Sequence, residues 1–305
     1  MRYGLLSYRW SANLGDEIQS IAARQFLPSV DCTLNRENLD RDPWFDQRPL
    51  YVILNGWFMH RPLHWPPHPR IRPLITSFHV TDEVLIQNRS KISPAEKLLE
   101  GRGREYLIDH GPIGARDKRT LELLESKGVK AFFSGCLTLT LARSPSARAR
   151  DYICANDLDP ESVAFLKARS PFPVVETRHT DWLTIGSLLR MRKAKALLAL
   201  YARAKAVVTS RLHCALPCLA LGTPVLFITD RADDRRFSGL IGLVRHCRQQ
   251  AFLTGESEFN LEDPAPNSDD YLALARPLAA SCATFVSGTQ SAAERALPAG
   301  QAGMA

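Results

Sequence analysis

Residues 204–230 read AKAVVTSRLHCALPCLALGTPVLFITD. The β-branched run Val207, Val208 and Thr209 predicts a strand, Arg211-Leu212-His213 stands at its carboxyl end, and a helix of small and apolar residues follows. The Gly222-Thr223-Pro224 turn then leads into a second apolar strand over 225–228. A β-turn-α-β unit of this kind belongs to a parallel sheet, and open parallel sheets bind ligands in the crevice beyond the carboxyl ends of their strands. The cationic residues therefore fall where a ligand sits, and that ligand is expected to be an anion.

The same alternation covers most of the chain. Before the central unit come a strand at 152–155, a helix at 160–169, a strand at 172–176 and a long helix at 187–203. In the first half, strands are expected at 2–8, 30–34, 51–55 and 129–133, with one or two more inside 71–85. Helices are expected at 17–26, at 93–100 with Gly101 as the stop, and at 118–128. The turn-like stretch between Ala142 and Arg150 separates the two series. The expectation is an α/β protein of two Rossmann-like parallel-sheet domains, 1–145 and 146–285, with a last helix over 270–282 and a flexible tail at 286–305.

Composition narrows the partner. The formal charge of +7, from 39 Lys and Arg against 32 Asp and Glu, suits an anionic ligand. Groups such as ARAR at 147–150 and DDRR at 233–236 read as solvated faces, and no finger spacing or glycine-aromatic strand motif points to nucleic acid. The seven cysteines are scattered, and Cys214 and Cys218 read as core thiols of a reduced, cytoplasmic protein. The amino terminus lacks a signal-peptide pattern, and no uncharged apolar run reaches the ~18 residues of a membrane span. Peripheral contact at the inner face of a membrane stays open, as does the oligomeric state.

The proline-rich stretch HRPLHWPPHPRIRPL, 60–74, is a loop whose Trp and His side chains suit contact with a sugar. His60, His64 and His68 have helical spacing, but Pro62, Pro66 and Pro67 forbid the helix, so no metal site is predicted. Two other places are site-like. Asn13, Gly15 and Asp16 lie beyond the first strand, where Gly15 lets backbone N–H groups approach a ligand, and Arg116 stands at a strand-to-helix junction.

Asn13-Leu14-Gly15-Asp16-Glu17, then Ala115-Arg116-Asp117, then Ser210-Arg211-Leu212-His213 with Gly222-Thr223-Pro224 downstream, form an order that resembles the polysaccharide pyruvyl transferase family. The likeness covers most of residues 1–230. It implies two Rossmann-like domains facing a cleft, similar to the GT-B glycosyltransferase architecture, with the acceptor on the first domain and the donor on the second. It also implies transfer of pyruvate from phosphoenolpyruvate onto sugar hydroxyls of a surface polysaccharide or its lipid-linked precursor, in exopolysaccharide biosynthesis of a bacterial cell envelope, giving a cyclic ketal and phosphate. Arg116, Arg211 and His213 match the family's donor-binding and catalytic positions; Asp16 matches its glycine-aspartate motif. Where the family has an aspartate-proline pair, this chain has Gly135-Cys136-Leu137, which predicts the loss of a polar group from the cleft edge.

Two guanidiniums on separate loops suit the carboxylate and the phosphate of phosphoenolpyruvate, so no metal or other cofactor is required. His213, with its near-neutral ordinary pKa, is the candidate general acid or base, and Asp16 the candidate base or hydroxyl-orienting group. Asn13 and Gly15 would complete the donor site. Two other readings of the same fold stay open: a glycosyltransferase using a nucleotide sugar, and a non-catalytic glycan- or anion-binding protein.

Overall fold

Short apolar strands alternate with helices along the chain, and they assemble into two separate parallel sheets. A computed structural model describes residues 1–9, 11–41, 48–58, 64–87, 90–142 and 151–296. Its first half runs β1 (Arg2–Ser7), α1 (Leu14–Arg24), β2 (Cys32–Asn35), β3 (Leu50–Trp57), β4 (Ile71–His79), β5 (Leu85–Gln87), β6 (Ser90–Ile92), α2 (Pro94–Leu99), α3 (Gly101–Asp109), β7 (Ile113–Ala115), α4 (Lys118–Ser126) and β8 (Ala131–Phe133). The second half runs β9 (Ile153–Asn156), α5 (Pro160–Arg169), β10 (Val174–Thr177), α6 (Ser187–Arg203), β11 (Ala206–Thr209), α7 (Leu212–Ala220), β12 (Val225–Ile228), β13 (His246–Cys247), α8 (Gln249–Leu253) and α9 (Leu272–Ala296).

The first sheet has the order β2-β1-β3-β4-β7-β8 and the second β10-β9-β11-β12-β13, with β5 and β6 forming a separate antiparallel hairpin. Every residue of β9, β11 and β12 is buried, as expected of central strands covered on both faces. The expected α/β architecture of two parallel sheets is therefore present.

Between β3 and β4 the register slips. Leu54 pairs with Ile75 but Gly56 pairs with Phe78, so β4 carries one extra residue, and Ser77 there adopts φ +51°. This bulge reverses the alternation of side chains over the last residues of β4. It ends in Phe78 and His79 at the sheet's carboxyl edge.

The two halves share a core. Leu14 and Ile18 of α1 pack with Cys136, Leu139, Tyr201 and Cys214, and a fully buried ion pair joins Glu17 Oε1 to Arg190 Nε of α6 at 2.8 Å. Helix α9 returns from the second sheet to the first, where Leu278, Cys282 and Val286 join Tyr3, Leu5, Ala22 and Ile53.

Several elements differ from expectation, and β6, β7 and α8 lie outside every expected range. The expected helix ends before Gly101, at Leu99 with Glu100 extended, but Gly101 at φ +49° opens an unexpected second helix, α3, and a Cβ on Gly103 would overlap the carbonyl oxygens of Lys97 and Leu98. Helix α9 continues beyond Cys282 to Ala296, so part of the expected tail is helical; Val286 is anchored in the core. The short edge strand β13 has too few residues for a period to be read. The expected boundary at 145/146, like Arg148, Arg150 and the last residues 297–305, lies outside the described residues.

All seven cysteines are free thiols, six of them buried. Among the described residues, no helix is long and apolar enough to cross a membrane.

Candidate active site

The carboxyl ends of both sheets converge on one cavity of about 290 Å³. The first sheet contributes Asn13 and Asp16 after β1, Trp57 from β3, His79 from β4 and Arg116 after β7. The second contributes His179 after β10, Ser210 and Arg211 after β11, Leu212 and His213 from α7, and Thr229, Arg231, Arg236 and Phe237 after β12. Asn13, Asp16, Arg116, Arg211 and His213, five residues singled out from the sequence, thus line a single space.

Gly15, the sixth, holds that space together. A Cβ there would lie 3.0 Å from His213 Cβ, 3.0 Å from Asn13 Oδ1 and 3.1 Å from His179 Nδ1. Asn13 caps α1 by accepting the Gly15 N–H at 3.0 Å. The first turn of α1 therefore packs directly against the two histidines of the second half. Leu14 N–H donates to His179 O at 2.8 Å and Asp181 N–H to Ala12 O at 2.7 Å, which fixes this seam.

Asp16 is buried and already engaged. Its Oδ2 accepts from Ser11 Oγ at 2.6 Å and lies 3.9 Å from Arg36 Nη1, while Gln19 Nε2 donates to Oδ1 at 3.4 Å. Arg211 donates from Nε to Asp157 Oδ2 at 3.0 Å and from Nη2 to Thr180 Oγ1 at 3.4 Å. Asp157 holds a left-handed backbone, φ +49°, and also accepts the His179 N–H at 2.9 Å. Arg116 is 5% exposed, and its N–H donates to Phe78 O at 2.8 Å, which keeps it beside β4.

Two cavity histidines were not singled out from the sequence. His79 Nδ1 lies 2.6 Å from Asp117 Oδ2; Asp117 also caps α4 by accepting the Thr120 N–H at 2.9 Å. His179 Nε2 lies 3.0 Å from the Tyr201 hydroxyl. Among the described residues, His79 Nε2, His179 Nδ1 and His213 Nε2 each have no hydrogen-bond partner. Only the strand-end position of His79 signalled it, because Asp117 is 38 residues away and the β4 bulge breaks the alternation.

Burial and cationic neighbours keep all three imidazoles neutral at physiological pH. Burial, with help from Arg116, pulls His79 down to about 4 despite Asp117. Burial does the same to His179, also to about 4. Burial and then Arg116, His179, His79 and Arg211 hold His213 well below its ordinary value. Burial works against Asp117 ionisation, but His79, Arg116 and the Thr120 N–H outweigh it and hold the carboxyl below the usual range.

Among the described residues, the lining carries four arginines, Arg116, Arg211, Arg231 and Arg236, against the one carboxylate of Asp16. Arg236, within the stretch expected to be a solvated face, instead lines the cavity; Asp234 Oδ1 and Oδ2 accept from its Nε and Nη2 at 3.0 and 2.6 Å and fix its plane. Cys136 is fully buried among core residues and is not part of the cavity lining. Of the loop histidines, His64 Nδ1 lies 2.9 Å from Asp40, His68 Nδ1 accepts the Arg70 N–H, and His60 lies outside the described residues. Among the described residues, no three His, Cys, Asp or Glu side chains are arranged to hold a metal ion.

This combination defines an α/β protein with an arginine- and histidine-lined cavity between the carboxyl ends of two parallel sheets. The chain belongs to the polysaccharide pyruvyl transferase family, whose model matches residues 13–230. No curated protein matches the chain. Among solved structures, a protein of uncharacterised function from Klebsiella pneumoniae subsp. pneumoniae NTUH-K2044 is 12% identical, with TM-score 0.44 over 77% of this chain and 87% of that one. A UDP-N-acetylglucosamine 2-epimerase is 10% identical, with TM-score 0.46 over the full length of both.

Proposed function

We propose that this protein transfers pyruvate from phosphoenolpyruvate onto two hydroxyls of one sugar in a surface polysaccharide or its lipid-linked precursor, closing a cyclic ketal and releasing phosphate. Membership in the family supports the reaction type. The observation that carries the reading is the cavity itself: four arginines from both sheets and three neutral histidines surround a space of about 290 Å³, suited to a small, highly charged donor.

Arg116 and Arg211 pair the donor's carboxylate and phosphate, and Arg231 and Arg236 add positive charge on the second-sheet side. No side chain caps the first turn of α7, so the N–H groups around Leu212 and His213 favour an anion there as well. The donor's negative charges offset Arg116 and Arg211, two of the causes that hold His213 neutral. His213 therefore takes up a proton as the donor binds and delivers it to the methylene carbon. The first sugar hydroxyl attacks the resulting cationic carbon and loses its proton to His79, whose Nε2 has no partner among the described residues and whose Nδ1–H is held by ionised Asp117. Phosphate then leaves with the electron pair of its C–O bond, and the second hydroxyl closes the ketal. One hydroxyl proton balances the new methyl group and the other leaves with phosphate. Asp16 orients a hydroxyl at the α1 side of the cavity.

The test is to incubate the protein with phosphoenolpyruvate in deuterated buffer and a panel of hexosides bearing adjacent or 4,6-related hydroxyls. Acceptor-dependent phosphate release with a deuterium-labelled ketal methyl group is expected. Stabilisation by a nucleoside diphosphate, with phosphoenolpyruvate left intact across the panel, would instead support glycosyl transfer.

A further inference from the structure

The chain between β10 and α6 carries the densest apolar surface of the described residues. Trp182 is 79% exposed, Leu183 91%, Ile185 86%, Leu188 66% and Leu189 49%. The other exposed large apolar side chains, such as Ile86 and Phe132, belong to other elements, whereas these five fall within eight consecutive residues and form a patch rather than the ordinary scatter.

The patch is built, not loose. Asp181 accepts the N–H groups of Leu183 and Thr184 at 3.1 and 3.0 Å and the Thr184 hydroxyl at 2.7 Å, while Lys193 Nζ reaches its Oδ2 at 2.7 Å. The turn is thereby tied to α6, and its apolar side chains are left facing outward.

Charge identifies the occupant. Helix α6 carries Arg190, Arg192, Lys193, Lys195 and Arg203 and no acidic residue. Arg190 is buried against Glu17 and Lys193 is paired with Asp181, but Arg192 and Lys195 are exposed, and Arg192 lies one turn beyond Leu188 and Leu189 on the same face. Apposing two copies of this face would bring their cationic groups together, which disfavours a self-association surface. A Trp- and Leu-bearing rim flanked by exposed Arg and Lys fits the interface of an anionic bilayer, with the rings and aliphatic groups at headgroup depth and the cations on lipid phosphates.

The patch adjoins the cavity. His179 lines it, Thr180 Oγ1 accepts from Arg211 Nη2, and residues 181–189 continue outward from that rim. We propose that residues 182–189, with Arg192 and Lys195, form a docking surface for an anionic membrane that seats the cavity mouth at the bilayer. The added statement that a lipid-linked sugar meets the cavity there rests on the pyruvyl-transfer reading; the docking itself does not.

The experiment is co-sedimentation of the full chain with phosphatidylcholine vesicles with and without phosphatidylglycerol, in low and high salt. Binding that requires phosphatidylglycerol and weakens with salt is expected. The triple variant Trp182→Ser, Leu183→Ser, Ile185→Ser and the double variant Arg192→Glu, Lys195→Glu should each bind about tenfold or more weakly, while keeping the wild-type melting temperature. Failure of the wild type to bind anionic vesicles, or undiminished binding by both variants, would overturn the proposal. So would a wild-type dimer that the triple variant converts to a monomer, since the patch would then be a subunit contact. The assay contains neither phosphoenolpyruvate nor sugar, so a negative result here leaves the proposed chemistry standing, and failure of that chemistry leaves this result unaffected.

Discussion

At the scale of single residues, the site's chemistry turns on where protons rest. His79 is held through Nδ1 by Asp117, so its other nitrogen is free to accept a proton while the adjacent carboxylate stabilises the imidazolium that forms. His79→Gln should lower kcat by about 10²–10⁴-fold while the protein still shows a phosphoenolpyruvate-induced thermal shift; steady-state phosphate release and a melting curve check the two halves. Gly15→Ala places a methyl group 3.0 Å from His213 Cβ, so His213 or α1 must shift. Loss of turnover at nearly unchanged melting temperature is expected, and a fully active variant would remove the α1 seam from the site. Arg116, Arg211 and His213 were legible in the sequence because they stand where a strand gives way to a helix and because they fall in the motif order that resembles the family. His79 and His179 were hidden for physical reasons: a bulge reverses the alternation before His79, and His179 follows an edge strand in coil. Arg236 was hidden because a run of alternating charges looks like a solvated surface until β12 turns it inward.

At the scale of elements, α1 and α6 are locked by the Glu17–Arg190 pair across the two halves. Burial raises Glu17 to about 6 even against Arg190, so the pair sits in a poorly solvated place. Glu17→Ala would leave the Arg190 guanidinium buried without its counter-ion. A loss of about 3–5 kcal/mol in urea unfolding is expected, with much of it recovered in the double variant Glu17→Leu, Arg190→Met. Equal stability of the single variant and the wild type would mean that the halves are held by the apolar core alone. The elements that depend on local pattern were readable: α5, α6 and β12 have the expected bounds, because Pro160 opens one helix, a long apolar-basic period runs through the next, and four consecutive apolar residues make the strand. Helix α3 depends on the close approach of Gly103 to the α2 backbone, and the length of α9 on packing against the other half. Neither of these long-range facts has a local signature.

At the scale of the whole molecule, the buried histidines tie stability to pH. His79 and His179 have folded values of about 4 against ordinary values of 6.5, and His213 moves in the same direction. Above pH 6.5 they are neutral in both states; as pH falls from 6.5 toward 4 the unfolded chain takes up protons that the folded protein refuses, and stability is lost. Glu17 acts oppositely: raised from 4.5 to about 6, it favours the fold at low pH and loses that contribution as pH rises through 6. One carboxyl opposes three imidazoles, so a lower urea midpoint at pH 4.5 than at pH 7 is expected, with the difference reduced in His213→Gln; equal midpoints would contradict the buried, neutral state of the cavity. The two-sheet architecture was readable from strand-helix alternation, but the packing of α1 between the halves and the return of α9 depend on the folded whole. If arginines from both sheets grip one phosphoenolpyruvate, a thermal-shift titration of wild type, Arg116→Ala and Arg211→Ala will register it. Phosphoenolpyruvate at about 100 times its Kd should stabilise the wild type by about 2.7 kcal/mol, more than phosphate or pyruvate does at the same concentration, and either variant should lose most of that gain. No shift with phosphoenolpyruvate, or an undiminished shift in both variants, would contradict it.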